Sequence, residues 1–140
     1  MKRAILLLLF LTGCAQPFAP FESAMPWTPP DWYEVEYHLM EECTGLSYPY
    51  TWVQWYLADD THAWGPHGER WSAYWHEPNV IVVGRKWMDY RSMVRHETLH
   101  LLSQSVAEEG WWWACYLLGE PDFPGVVKPT FPFPLLESEK

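Results

Sequence analysis

The chain has 140 residues, enough for one domain built on one hydrophobic core. Its formal charge of −9, with no cluster of Lys and Arg, excludes a protein that holds nucleic acid through a basic face. Eleven Trp residues spread along it supply much of the core area a small domain needs, and some of these rings can line a cleft for peptides or sugars. The run Trp111-Trp112-Trp113 cannot all point inward from one helix, because successive side chains fan out by about 100°. At least one of the three is expected to face a cleft, the disulfide region or a lipid surface.

At the N-terminus, Lys2 and Arg3 precede an apolar stretch from Ala4 to Leu11. It is too short for a bilayer, which takes about 20 residues, and has the form of a secretory h-region. The segment Leu11-Thr12-Gly13-Cys14 that closes it resembles the lipobox of bacterial lipoproteins. That resemblance implies a signal peptide over residues 1–13 and lipidation of Cys14. It also implies tethering to the cell envelope by acyl chains rather than by a transmembrane helix. Ala15, where an Asp would retain the protein, resembles the pattern for outer-membrane sorting. Loss of Lys2 and Arg3 would take the formal charge from −9 to −11. Of the three cysteines, Cys43 and Cys115 then remain. In an oxidising compartment they can pair, and closing so long a loop is worth about 4 kcal/mol in chain entropy.

Residues 14–30 contain Pro17, Pro20, Pro26, Pro29 and Pro30 and read as a semi-stiff linker, leaving 31–140 for the domain. Asp31 is a candidate N-cap, Glu34 completes a capping box and Gly45 is a stop, so a helix is expected over 31–43. Tyr33, Val35, Tyr37 and Leu39 alternate as a strand would, but the marked ends favour the helix. Thr51 to Leu57 is β-branched and aromatic and reads as a strand. The polar stretch 58–69 is a loop or hairpin connection, and Arg70 to Trp75 another strand. Pro78-Asn79 turns the chain into a short buried strand, Val80 to Val83, broken at Gly84. Asp89 is the candidate N-cap of a second helix running to about Ala107, with Gly110 as its stop. A shorter helix from about Trp111 to Leu118 follows, and the tail from Pro121 is expected to be irregular. The fold class is α+β: a short twisted sheet packed against the second helix.

That helix carries His96-Glu97-Thr98-Leu99-His100, an H-E-x-x-H motif. Histidines four apart share one helical face, so both imidazoles can reach one Zn²⁺ at about 2.0–2.1 Å. Glu97 would then sit beside the metal as a general base. Met93, Val94, Leu99, Leu101 and Leu102 provide the apolar neighbours that a buried metal-bearing helix needs.

A catalytic site needs a third protein ligand. The position six residues after His100 is Val106, which cannot serve. Glu108 and Glu109 fall at the end of the same predicted helix, about two turns beyond His100, and would have to double back. Glu120 follows a break and a second helical stretch and is the preferred ligand, with Asp122 and the upstream His76 as alternatives.

From Val80 to about Asp122, an upstream strand, the motif helix and a later glutamate together resemble the gluzincin branch of zinc metallopeptidases. The resemblance implies a zincin-like fold and hydrolysis of a peptide or protein substrate. It further implies that the strand Val80 to Val83 edges the cleft and pairs with extended substrate. Tyr90 and Tyr116 are candidate donors to a developing oxyanion. A different class of function fits the same residues: a zinc-containing envelope module that grips peptide or glycan without hydrolysing it. A metal-free lipoprotein held by tryptophan packing and the Cys43–Cys115 bridge is the third.

Overall fold

A computed structural model describes residues 24–59, 63–64 and 70–119. Cys14 and the leader before it lie outside the described residues, as do Glu120, Asp122, His62 and His67.

The first helix, α1 (Trp32–Thr44), ends as expected: Gly45 takes a left-handed conformation and its N–H bonds back to Glu41 O. The predicted capping box is absent, because Asp31 is itself helical and its side chain makes no capping bond. Tyr33, Tyr37, Met40, Cys43 and Thr44 form the buried stripe while Val35 is exposed, so the helical period overrides the alternating one. Glu36 is buried on the same helix.

The main sheet has the order β1 (Ala24–Pro26), β2 (Gln54–Ala58), β6 (Val80–Gly84), β5 (Ala73–His76). β2 and β6 run parallel, and the outer pairings are antiparallel. Register places Trp55 and Leu57 beside Ile81 and Val83, and these beside Trp75 and Ala73. All six face the helices as one core. The alternate residues Tyr56, Ala58, Val80 and Val82 make a smaller cluster on the far face. β6 is buried along its whole length, which its unbroken run of β-branched residues anticipates.

Three expectations are corrected here. Ala24 to Pro26, within the proline-rich stretch, pair with β2, and Trp27 N–H bonds to Trp55 O, so the domain starts before Asp31. The stretch Arg70–Trp75 is divided at Ser72: β4 (Arg70–Trp71) pairs with β3 (Ala63–Trp64) as a hairpin, and β5 joins the main sheet. Finally, β6 does not edge the sheet. It lies between β2 and β5, and β5 is the terminal strand.

The motif helix, α2 (Arg91–Ser103), starts after Tyr90 rather than Asp89 and stops well before Ala107. Gln104 adopts a left-handed conformation (φ 50°), its N–H bonding to His100 O and Leu101 O. Its side-chain amide donates to Pro78 O at 2.8 Å and to Leu101 O at 2.6 Å. A contact with the β5–β6 turn therefore ends the helix. Gly110, read as the stop, instead opens α3 (Gly110–Tyr116). The Cys43–Cys115 disulfide joins α1 to α3 with Cα atoms 5.7 Å apart.

A buried ion pair completes the helical layer. Arg95 Nε meets Glu36 at 2.6 Å, Arg91 reaches the other carboxylate oxygen at 2.6 Å, and Arg95 also donates to Leu118 O at 2.9 Å. One guanidinium thus ties α2 to α1 and to the end of α3.

Candidate metal centre

His96 and His100 project from one face of α2 with their Nε2 atoms 3.1 Å apart. Trp112 of α3 packs against both rings, at centroid distances of 4.7 and 5.4 Å. Trp75 of β5 stacks on His100 from the other side at 6.5 Å. Trp112 is the member of the tryptophan run that faces the site, and it is fully buried. Trp113 is half exposed.

The early end of α2 brings two further groups into play. Ser105 O lies 2.9 Å from His100 Nδ1. A carbonyl only accepts, so His100 carries its proton on Nδ1 and presents a bare lone pair at Nε2. The chain then returns far enough for Glu108 Oε1 to lie 3.7 Å from His96 Nε2 and 3.9 Å from His100 Nε2. Glu108 is therefore not at the end of a continuing helix, as its spacing implied. It doubles back across the open turn at Gln104.

These three donor atoms could hold a metal ion. A triangle with sides of 3.1, 3.7 and 3.9 Å has its centre about 2.1 Å from each corner, which is the bond length of zinc to imidazole or carboxylate. The electrostatics agree. Burial, and then the neighbouring His100, push the pKa of His96 down to about 4. Burial also lowers His100, against the opposing effects of Ser105 O and Glu108. Both rings are thus neutral near pH 7, the state in which imidazole binds metal.

Glu97 lies next to this cluster and is almost wholly buried. Burial, reinforced by Glu108, raises its pKa to about 8, while a hydrogen bond from the Trp75 backbone N–H works against that rise. A carboxyl poised this near neutrality can exchange a proton in either direction.

Two cavities of about 380 and 200 Å³ flank the cluster. They share Trp71, Ala73, His96, Glu97 and Glu108, so they form one cleft along β5 with the candidate ligands at its waist. Tyr90 and Tyr116 both line the larger end. His76, an alternative ligand, is not part of the cluster; its Nδ1 lies 2.8 Å from Glu77 O. His38 meets Glu34 and Glu41 on the surface of α1.

Sequence reasoning set Glu108 aside and did not find the Glu36–Arg95 pair. The local signal for Glu108 was weak: the apolar repeat of α2 stops at Leu102, and serines at 103 and 105 flank Gln104. No protein-family model matches the chain, and no curated protein or solved structure matches it either.

Proposed function

We propose that the protein is a zinc-dependent peptidase anchored to the bacterial cell envelope. The observation that carries this reading is the convergence of His96, His100 and Glu108 on a point at zinc-bond distance, with the buried carboxyl of Glu97 alongside. Two imidazoles and a carboxylate are the donor set of many hydrolytic zinc sites. When bound there, zinc would acidify water and polarise a substrate carbonyl. Glu108 takes the third position that the sequence favoured for Glu120.

The chain's own residues supply the rest. Ser105 O fixes the His100 tautomer, and the aromatic walls of Trp75 and Trp112 hold the ring planes. The Trp75 N–H orients Glu97, which accepts a proton from water and later returns it to the leaving amine. β5, as the terminal strand beside the cleft, replaces β6 as the edge along which extended substrate would lie. Attachment rests on the leader and Cys14; among the described residues no helix is long and apolar enough to cross a membrane.

The test uses the full-length protein supplied with zinc. It should retain one equivalent through gel filtration, and His96→Ala, His100→Ala and Glu108→Ala should each lose it. Glu120→Gln should keep it. Glu97→Gln should keep the zinc while peptide hydrolysis disappears. Hydrolysis that survives Glu97→Gln would reject the reading.

A further inference from the structure

The cleft is unequal on its two sides, and its walls are of one chemical kind. The larger chamber, about 380 Å³, adds Trp87, Tyr90, Met93 and Tyr116 to the shared residues. The smaller, about 200 Å³, adds Tyr74, Trp75 and Val106. No Lys or Arg lines either chamber among the described residues, and the only carboxylates there are Glu97 and Glu108. An acidic side chain entering would leave water without a counter-ion to receive it, which costs about several kcal/mol. In the peptidase reading Glu97 and Glu108 are committed to the reacting water and the metal, leaving no carboxylate for a basic one. Among the described residues Ser72 and Ser92 are the only aliphatic hydroxyls in the lining, too few to hydrogen-bond a sugar ring.

The rim points the same way. Trp71, Tyr90 and Val106 are 51, 49 and 78 % exposed, and they account for half of the large apolar side chains left exposed among the described residues. All three border the cleft. Apolar surface concentrated around one concave site marks a surface that a ligand covers.

We infer that the site takes an extended, uncharged peptide segment with one bulky apolar or aromatic side chain in the larger chamber and a smaller residue in the lesser one. Successive side chains of an extended chain point to opposite faces, so neighbouring residues can occupy the two chambers while the bond between them lies at the waist. Trp71, a wall of both chambers, is the specificity-determining residue. The inference rests on the peptidase reading of the same cleft.

The experiment uses full-length, zinc-loaded Glu97→Gln protein as a non-hydrolysing trap, with calorimetry on capped pentapeptides that vary in one central residue. Phe, Leu and Trp peptides should bind about tenfold more tightly than Asp, Lys or Gly peptides. Adding Trp71→Ala should remove most of that difference without changing zinc content. With the Glu97-intact enzyme, cleavage should fall beside the bulky residue. Equal affinity for all peptides, alongside cleavage by the intact enzyme, would overturn this inference and leave the peptidase reading standing. Binding of glycan fragments in place of peptides, or no peptide cleavage at all, would overturn both.

Discussion

α1 and α2 are both 13 residues long, and both end in a left-handed residue. Their stops are otherwise opposites. Gly45 closes α1 with the one residue that pays no steric penalty at positive φ, and no Cβ neighbour lies near it. Gln104 closes α2 against its own preference, held by the hydrogen bonds of its side chain to Pro78 O and Leu101 O. The first stop is a local property of the chain. The second is enforced by the sheet, and the candidate metal centre depends on it. Had α2 continued, neither Ser105 O nor Glu108 would reach the histidines.

The largest effect is expected where the two helices meet. Glu36→Ala would remove the carboxylate that pairs with the buried Arg95 guanidinium, at a cost of about 3–5 kcal/mol, seen as a lower midpoint in urea unfolding. Next comes the disulfide that carries α3. Reduction, or Cys43→Ala with Cys115→Ala, should cost about 2–4 kcal/mol and also weaken zinc binding, because Trp112 loses its tether beneath both histidines. Metal titration with and without reductant separates the two effects.

The two stops then give a direct contrast. Gly45→Ala forces a Cβ into positive φ and should cost about 1 kcal/mol, with zinc affinity unchanged. Gln104→Ala should cost a similar amount but weaken zinc binding about tenfold, since the turn that places Ser105 and Glu108 loses its anchor. Gln104→Gly would restore the backbone freedom and not the affinity. Equal zinc affinity across the Gln104 variants would show that the turn does not depend on the sheet.

A pH dependence that arises within α2 stands apart from these substitutions, since solvent alone drives it. In metal-free protein, His96 titrates near 4 rather than its ordinary 6.5, so the folded state binds fewer protons in that interval and stability falls as pH drops through it. Glu97 titrates near 8 rather than 4.5, so the folded state holds the extra proton and stability falls as pH rises through that window. The two oppose each other below pH 6.5, and Glu97 acts alone above it. Stability in chelator should therefore decline from about pH 6.5 to 8, and zinc, which favours the carboxylate, should flatten the decline. Urea titrations at stepped pH check the sign.

Much of the architecture was legible because its cues are local or pairwise. The apolar run at Val80–Val83 marks a strand buried on both faces, Gly45 a helix end, the four-residue spacing of His96 and His100 a shared face, and Cys43 with Cys115 a covalent pair. The edge of the sheet was not legible. β5 and β6 are both short apolar strands, and only their pairing decides which is interior. The same holds for Ala24 to Pro26, which sits in a proline-rich stretch and reads as linker until β2 offers it an edge.

By itself the amino-acid sequence determined the α+β class, the paired histidines with their neighbouring glutamate, and the bridge between α1 and α3, since each follows from residue types at set spacings. Only the tertiary structure decided which of the described carboxylates comes within reach of both histidines and which strand borders the cleft. Both depend on hydrogen bonds between segments far apart in the chain: Gln104 to Pro78 across 26 positions, and Trp75 N–H to Glu97. Such bonds exist only once the sheet and helices are packed together, so no local pattern announces them.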